Sequence, residues 1–253
     1  MDIVFEGGGI KGLAYIGALR YLEERGIKMN NFAGTSVGAI FAALCAVGYT
    51  SDEMQVLINK LDPNQFWPKA KNILESTYGT IKKRAVYSMD SLERYLDNLF
   101  VWKRKQKFKD LKIGNNYKLK VITACVNERK LVVLPDELNK FKINSDDFLI
   151  SKAVCMSSAI PLVYKPYRIN DYTFVDGGIF SNFPIWLFED SDNVLGFRLG
   201  KKKKNDKFGN RNIIYIDTSR YKATDFRKGF TEKHYLYNIG YYYTKLFFDK
   251  TYK

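Results

Sequence analysis

The apolar positions at the start of the chain alternate between strand-like and helical spacing. Residues 3–5 form a short apolar run that leads into a glycine cluster, after which helical spacing follows. A second apolar run, residues 27–33, leads into Gly34, and a helix of small residues is predicted over 37–47, ending at Gly48. The amino-terminal part of the chain therefore predicts the order β-α-β-α.

The remaining chain adds a helical segment and then several strands. Residues 51–108 show helical spacing, and the apolar stripe within them consists of Met89, Leu92, Tyr95, Leu96, Leu99 and Phe100. Strands are predicted at residues 117–126, 130–134, 164–169, 172–175, 194–199 and 213–216, and further helices at 148–156 and 232–248. This order of elements predicts an α/β fold, a three-layer α/β/α domain with a mainly parallel central sheet.

The length and composition favour a single domain with one core. The chain has 253 residues, of which 46% are hydrophobic, enough to bury a full sheet with flanking helices. We expect residues 1–200 to form the main, catalytic domain, with a helical insertion at about 51–108 that would act as a lid. Residues 201–253 are expected to complete the same domain with a basic loop, a strand and a C-terminal helix.

The chain is strongly basic, with 41 Lys and Arg against 27 Asp and Glu and a formal charge of +14. The excess is concentrated after Gly200, where the last 53 residues contain 14 basic and 5 acidic side chains. Anionic lipid surfaces and nucleic acids both attract such a region. Since no zinc pattern, helix-turn-helix signal or aromatic RNA-binding motif is present, nucleic acid is not expected as a partner.

Neither a metal site nor a membrane span is expected from the sequence. The three cysteines, Cys45, Cys125 and Cys155, lie in apolar runs without metal-type spacing, so we interpret them as reduced core residues. No signal peptide follows Met1, and the longest apolar stretch, residues 37–47, is too short to span a bilayer. We therefore expect a cytoplasmic protein that makes at most peripheral contact with anionic membranes.

The C-terminal helix is the first candidate for such membrane contact. One face of it carries Leu236, Ile239, Tyr243, Leu246 and Phe247. Ordinary packing of this face against the sheet is the favoured interpretation, because a terminal helix needs docking to be stable. The four lysines at 201–204 are expected to form a solvated loop.

A serine lies at the junction between the second predicted strand and the following helix. Gly34, Ser36 and Gly38 match the pattern G-x-S-x-G, in which a tight turn lifts a nucleophilic serine above the edge of a sheet. The two glycines remove side chains that would collide in such a turn, and the helix directs its positive end toward the serine. Ser36 is therefore a candidate nucleophile.

The glycine cluster of residues 7–12 has two possible functions. As a loop at the start of a helix, it offers free backbone N–H groups that would stabilise a negatively charged oxygen during acyl transfer. It also fits G-x-G-x-x-G, the fingerprint of a Rossmann-like nucleotide-binding fold, which remains the alternative fold class. No Asp or Glu occurs between Glu24 and Asp52, where the ribose-binding carboxylate would fall, so nucleotide binding is disfavoured.

A serine nucleophile needs a base, and the sequence offers two kinds of candidate. The single histidine, His234, lies in the C-terminal basic helix, where we expect a surface or packing role. The best carboxylate is Asp176, which ends a predicted strand and precedes Gly177 and Gly178. An ordinary Asp-Gly turn would look the same, so the residues alone leave this role open.

Four sequence blocks together resemble one known family. They are Gly7-Gly8-Gly9-Ile10-Lys11-Gly12, Gly34-Thr35-Ser36-Val37-Gly38, Ser157-Ser158-Ala159-Ile160-Pro161 and Asp176-Gly177-Gly178. Their order and setting resemble the patatin-like phospholipase family, from Ile3 to about Pro184. The stretch after Leu199 contains no motif of that family.

The resemblance implies a serine lipid acyl hydrolase with a Ser-Asp dyad. Ser36 would be the nucleophile and Asp176 the base, without a histidine. The oxyanion hole would be formed by Gly8, Gly9, Ile10, Lys11 and Gly12. Residues supporting the site would be Gly34, Gly38, Gly177, Gly178 and Pro161. The family is not known to need a metal or another cofactor.

The expected reaction is the cleavage of carboxylic esters of phospholipids through an acyl-enzyme, as in phospholipase A or lysophospholipase chemistry. The implied partner is a phospholipid or another lipid ester. Two other functions stay open at this point. One is a catalytically inactive lipid-binding scaffold, and the other is a basic nucleic-acid-binding protein.

Overall fold

The computed structural model describes residues 1–62, 87–204, 206, 208 and 211–251. The helices of this part are α1 Ala14–Glu24, α2 Val37–Val47, α3 Ser51–Lys60, α4 Asp90–Trp102, α5 Ile150–Ser158, α6 Phe226–Thr231 and α7 Lys233–Thr251. The strands are β1 Asp2–Phe5, β2 Phe32–Thr35, β3 Lys112–Ile113, β4 Asn116–Tyr117, β5 Leu119–Cys125, β6 Lys130–Leu134, β7 Tyr167–Ile169, β8 Tyr172–Asp176, β9 Val194–Leu199 and β10 Asn212–Ile216.

The central sheet is mixed, with its parallel strands on one side. Five strands run parallel in the order β10-β9-β1-β2-β5. Beyond them, β6 and β8 pair antiparallel with β5, and β7 pairs antiparallel with β8. The parallel strands end at a common edge, so the residues that follow β1, β2 and β9 meet there.

Two strands converge beside β5 at this edge. β6 pairs with β5 along Val121 to Cys125, so β2 and β8 must both occupy the opposite side of β5. β2 ends with Thr35 opposite Ile122, and β8, running the other way, ends with Asp176 opposite Thr123. The residues after β2 and at the end of β8 are thus brought together, although they are far apart in the chain.

The core lies mainly on the face of the sheet that carries Ile3, Phe5 and Phe32. Helices α1 and α2 cover this face, and α7 packs along α1. Glycines make the α1–α7 approach close, since a Cβ atom on Gly17 would lie 1.9 Å from the Tyr237 carbonyl oxygen. On the other face a smaller cluster joins Val4, Ala33, Phe183, Ile185 and Val194.

The α/β class with a mainly parallel sheet flanked by helices is confirmed. The predicted helix at 37–47 and the strands at 130–134 and 194–199 have the predicted bounds. The second strand is shorter than the predicted 27–33, because Asn30 and Asn31 are bonded to the start of the chain through Met1 and Asp2.

Three further expectations concern the insertion, the cysteines and the membrane. The helical insertion contributes α3 and α4, while its residues 63–86 lie outside the described part. The three cysteines are free and buried, as predicted. Among the described residues, no helix combines the length and apolar character needed to cross a membrane.

Candidate active site

Ser36 occupies a sharp turn between β2 and α2. Its backbone has φ 57° and ψ −127°, a region that L residues rarely adopt and that costs about 1–3 kcal/mol. The turn needs glycines on both sides of the serine. A Cβ atom on Gly34 would lie 2.2 Å from the Gly38 carbonyl oxygen, and one on Gly38 would lie 2.3 Å from the Phe5 carbonyl oxygen. The serine is therefore fixed in a strained position that is only 6% exposed.

Ser157 holds this strained turn from the end of α5. The Ser36 amide donates a hydrogen bond to Ser157 Oγ at 2.8 Å, and Ser157 Oγ donates to the Ile122 carbonyl oxygen at 2.5 Å. Ser157 thus joins the turn to the middle of β5. The sequence places Ser157 within a motif block but gives no signal for this contact.

Asp176 faces the serine from the end of β8. Its amide donates to the Ala159 carbonyl oxygen at 3.0 Å, and its Oδ1 accepts from the Gly178 amide at 2.7 Å. Burial raises the pKa of the Asp176 carboxyl, while hydrogen bonds from the Ser36 hydroxyl and the Gly178 amide act in the opposite direction. A buried carboxylate with a raised pKa is a stronger base than an exposed one, and this one contacts the serine hydroxyl.

Gly177 and Gly178 set the turn that orients this carboxyl. They begin a short 3-10 helix, Gly177–Ile179, that Asp176 caps with its own side chain. Gly177 passes close to β5, since a Cβ atom there would lie 2.4 Å from the Ile122 carbonyl oxygen. Ile122 thus contacts both Ser157 and Gly177, so one residue of β5 supports the serine side and the aspartate side of the site.

The glycine loop follows β1 beside the serine. In the described part of the chain, no hydrogen-bond partner is found for the amides of Gly8 and Gly9. The Ile10 amide, in contrast, donates to the Ala223 carbonyl oxygen at 3.0 Å. This differs from the predicted hole, which included Ile10, because the chain near Ala223 returns to this loop. The Lys11 amide donates to the Gly8 carbonyl oxygen at 3.3 Å. Gly8 and Gly9 therefore have the loop amides that remain available to a bound oxygen within the described part of the chain.

Two glycines of the loop permit close approaches by other segments. Gly9 has φ 56°, and a Cβ atom on it would lie 2.1 Å from the Ala223 carbonyl oxygen. Gly12 packs on the serine helix, since its Cβ atom would lie 2.5 Å from Val37 Cγ2. The loop is therefore fitted between α2 and the segment that precedes α6.

The loop is anchored at its start by two further residues. The Gly7 amide donates to the Asn182 carbonyl oxygen at 2.9 Å, and Asn182 Nδ2 donates to the Gly7 carbonyl oxygen at 2.9 Å. The buried Glu6 carboxylate accepts from the Leu199 amide at 2.6 Å and from Arg198 Nη2 at 2.8 Å. The ends of β1 and β9 and the segment after Asp176 are thus bonded to one another around the loop.

These elements enclose a cavity of about 470 Å³. Its lining contains Ser36, Asp176, Gly8, Gly9, Lys11, Gly178 and Pro161, together with Glu6, Gly7, Ile160, Ile179, Asn182, Leu199 and Ala223. The predicted nucleophile, the predicted base and the free amides therefore share one cavity. Gly34, Gly38 and Gly177 lie outside this lining and shape the turns that support it.

A second, smaller cavity of about 100 Å³ lies beside the first. It is enclosed by α2, α3, α4 and the glycine loop, and Gly9 lines both cavities. Val37, which directly follows Ser36, also lines it. Its other lining residues are Ile10, Leu13, Ile40, Phe41, Leu44, Met54, Leu57, Ile58, Leu61, Leu92, Tyr95, Leu96 and Leu99. This lining suits hydrocarbon.

His234 is exposed on α7 and lines neither cavity. Within the described residues, no group of three or more His, Cys, Asp or Glu side chains is arranged to hold a metal ion. Among the described residues, the polar groups that line the cavity with Ser36 are backbone amides and the side chains of Asp176, Lys11, Glu6 and Asn182.

Comparisons with known proteins show which family the chain is similar to. A family model described as Patatin-like phospholipase matches residues 3–189. Uncharacterized protein YqhO from Bacillus subtilis is 34% identical, over 98% of this chain and 97% of its own length. Probable lipid hydrolase 463L from Invertebrate iridescent virus 6 is 28% identical, over 85% of this chain and 69% of its own length.

Two solved structures share the fold. VipD from Legionella pneumophila matches with a TM-score of 0.63 and 18% identity, over 98% of this chain and 66% of that one. The type III effector ExoU matches with a TM-score of 0.60 and 19% identity, over 98% of this chain and 53% of that one. This chain thus spans about two thirds of VipD and half of ExoU. The family model, which covers residues 3–189, establishes that the chain belongs to the patatin-like phospholipase family, whose members are carboxylic ester hydrolases acting on lipids.

Proposed function

We propose that this protein is a serine lipid acyl hydrolase that cleaves carboxylic esters of phospholipids through a Ser36–Asp176 dyad. The observation that carries the proposal is the contact between the Ser36 hydroxyl and the buried Asp176 carboxyl beside the free amides of Gly8 and Gly9. A nucleophile, a base and an oxyanion site are the three parts that acyl transfer requires.

The first half of the reaction acylates the serine. Ser36 Oγ attacks the ester carbonyl carbon while the Asp176 carboxylate takes its proton. The carbonyl oxygen becomes negative and is stabilised by the amides of Gly8 and Gly9, which need no rearrangement to receive it. When the tetrahedral intermediate collapses, the alcohol part of the lipid leaves with the proton from Asp176, and the acyl group stays on Ser36.

The second half releases the fatty acid. A water molecule attacks the acyl-enzyme carbonyl, and Asp176 accepts a proton from that water. The same amides stabilise the second oxyanion, after which Ser36 Oγ leaves and recovers its proton from Asp176. A single carboxyl thus serves as base and acid in both halves, which fits its raised pKa.

The second cavity supports a lipid substrate rather than a small polar ester. It begins at Gly9 and Val37, directly beside the serine, and its lining from α2, α3 and α4 is apolar. We propose that it receives the first part of the acyl chain. Its volume of about 100 Å³ is several times the roughly 10–15 Å³ of such space that one water molecule needs, so it would hold a short stretch of hydrocarbon.

The experiment that tests the proposal compares the wild type with Ser36→Ala on a panel of phospholipids, lysophospholipids and neutral glycerides. We expect free fatty acid from the wild type and a loss of about a thousandfold or more in the variant. A serine-directed phosphonate should label the wild type at Ser36. Lipid binding without hydrolysis or labelling would instead support the inactive scaffold.

A further inference from the structure

Large apolar side chains are exposed next to the mouth of the catalytic cavity. Eleven such side chains are exposed in the described part of the chain, and four of them are lining residues of this cavity or follow a lining residue within four positions. They are Leu162 at 72%, Ile179 at 57%, Phe180 at 51% and Trp186 at 40%. We call these four residues the apolar rim. Their clustering requires an explanation, because scattered exposed apolar residues are common but grouped ones mark interaction sites.

Leu162 lies exposed in a turn with an unfavourable backbone conformation. Leu162 has φ 71°, a left-handed conformation that is unfavourable for leucine. It follows the cavity-lining residue Pro161 in a tight turn, where the amides of Val163 and Tyr164 donate to the Ile160 carbonyl oxygen at 3.1 and 2.9 Å. A strained backbone therefore presents the most exposed member of the rim beside the cavity, an arrangement that stability alone does not favour.

The opposite side of the cavity is basic. Leu199, at the end of β9, lines the cavity and is followed after one glycine by exposed lysines. We call Lys202, Lys203 and Lys204 the lysine segment. Lys201 lies 3.6 Å from Asp217, whereas the lysine segment forms no ion pair with any carboxylate that the structure describes. The nearby Asp206 carboxylate is already paired with Arg198 at 2.6 Å.

The sheet places the two groups on opposite sides of Ser36. In the strand order, β9 lies on one side of β1 and β2, and β5 and β8 lie on the other. The lysine segment follows β9, while Ile179 and Phe180 follow β8. The mouth of the cavity is thus bordered by apolar side chains at one side and by unpaired positive charge at the other.

We propose that the apolar rim and the lysine segment form one docking surface for an anionic phospholipid membrane, with the cavity mouth facing the lipid. This inference rests on the proposed function. Apolar side chains enter the boundary between headgroups and acyl chains, and lysines are attracted to anionic headgroups. A membrane suits this surface better than a protein partner. A membrane would present lipid esters to the opening of the cavity, whereas a protein bound across the rim and the lysines would keep them from it.

The C-terminal helix does not provide this surface. Of the apolar face predicted for it, Leu236 is buried in the core, Ile239, Tyr243 and Phe247 pack against the core, and Leu246 is half-buried. The predicted packing is confirmed, but α7 lies mainly along α1 and contacts the sheet less, at β10, whereas the prediction was packing on the sheet. The docking surface comes instead from loops at the edge of the sheet.

The first experiment removes apolar character from the rim. The variant Leu162→Asn, Phe180→Ser avoids cavity-lining residues, and asparagine tolerates the left-handed backbone at position 162. Its matched control is Ile113→Ser on β3, which is 62% exposed and precedes the amino end of β5. We expect the rim variant to lose about tenfold in co-sedimentation with phosphatidylglycerol-containing vesicles. Ile113→Ser should bind as the wild type does.

The second experiment removes the charge of the lysine segment. The test variant carries Lys202→Gln, Lys203→Gln and Lys204→Gln. Its control carries Arg25→Gln, Lys28→Gln and Lys142→Gln, at three other exposed basic residues. We expect about a tenfold or larger loss of binding to vesicles with phosphatidylglycerol and a smaller salt dependence. Binding to pure phosphatidylcholine vesicles should be weak for every protein, and the control should retain affinity for anionic vesicles.

Hydrolysis of a water-soluble short-chain ester separates this inference from the proposed function. Both docking variants should keep wild-type rates on that ester while losing hydrolysis of vesicle phospholipid. Variants that bind and hydrolyse vesicles like the wild type would overturn the docking surface and leave the proposed function standing. A wild type that is inactive on soluble and vesicle esters alike would overturn the proposed function itself.

Discussion

The two neighbouring cavities differ in almost every physical respect. The cavity at Ser36 has a strained serine, a buried carboxyl and two amides without a partner among the described residues, in a volume of about 470 Å³. The second cavity, about 100 Å³, is lined by apolar residues of three helices and the glycine loop. Backbone strain and unpaired polar groups lower the stability of a fold, so they are retained where a reaction requires them. The second cavity requires only a shape and an apolar lining that fit an acyl chain. The first should therefore control the rate on every ester, and the second the preference for chain length.

Apart from the loss of Ser36 or Asp176 itself, the largest effect expected at the Ser36 cavity is a dependence on pH. Burial raises the pKa of Asp176, and the base must be deprotonated, so activity should fall as the pH drops through that raised pKa. Below it, kcat/KM for a soluble ester should fall about tenfold per pH unit. The midpoint should lie above about 3.9, the ordinary value for Asp.

The stability contribution of Asp176 should change in the opposite direction. A carboxyl with a raised folded-state pKa stabilises the fold below its unfolded pKa, and this contribution is lost as the pH rises through the folded pKa. Acid inactivation should therefore precede unfolding when circular dichroism is followed beside activity. Simultaneous loss of structure and activity would contradict this assignment.

A bulky side chain in the second cavity should change the chain-length preference. Leu57 lines this cavity from α3, whereas its neighbour Val56 is 50% exposed and does not line it. We expect Leu57→Trp to lower the ratio of long-chain to short-chain ester hydrolysis about tenfold, an effect of the size that one filled pocket gives. Val56→Trp should leave the ratio unchanged, and an equal loss on short and long chains would show that the cavity does not bind the chain.

Loss of the Ser157 hydroxyl should loosen the serine turn. Ser157→Ala leaves the Ser36 amide and the Ile122 carbonyl oxygen without their shared partner. We expect a loss of about 1–3 kcal/mol in the free energy of unfolding, measured by urea denaturation. Because Ser157 positions the turn, kcat should fall while KM changes little. The control is Ser145→Ala, whose buried hydroxyl donates to the Pro135 carbonyl oxygen at 2.8 Å outside the cavity, and an unchanged kcat in Ser157→Ala would contradict the role.

The smallest effect concerns the strain at Ser36 itself. Glycine adopts φ 57° without the penalty that alanine has, so Ser36→Gly should be more stable than Ser36→Ala by about 1 kcal/mol. Thermal unfolding of the two variants, both expected to be inactive, measures the difference. Equal melting temperatures would indicate that the turn is not strained.

The parts of the fold that sequence predicted well are those with local causes. The helix over 37–47 has small residues ended by Gly48, and the strand at 194–199 is apolar except for Gly196 and Arg198, so both bounds agree with the structure. The strand predicted at 27–33 begins only at Phe32, because contacts with the first two residues of the chain determine the conformation before it.

The site was predictable only where its residues stand in motifs. Ser36 stands in G-x-S-x-G, whereas only the family resemblance indicates Asp176 as its base, and their meeting depends on how β2 and β8 pair with β5. Ser157 contacts the amide of a residue 121 positions away, and spacing gives no sign of that bond. For the same reason, the sequence could not predict the hydrogen bond from the Ile10 amide to the Ala223 carbonyl oxygen, which makes this amide unavailable to the oxyanion hole. Long-range hydrogen bonds follow from packing, which the local pattern does not encode.

The central claim is that Asp176, and no histidine, activates Ser36. The direct test measures kcat/KM on one soluble ester for Asp176→Asn and His234→Ala beside the wild type. Asparagine can still accept the Gly178 amide, so the first variant should fold with equal or greater stability yet lose about a thousandfold or more of its activity. His234→Ala should keep the wild-type rate, since His234 is exposed on α7. A severe loss in His234→Ala, or substantial activity in Asp176→Asn, would contradict the account.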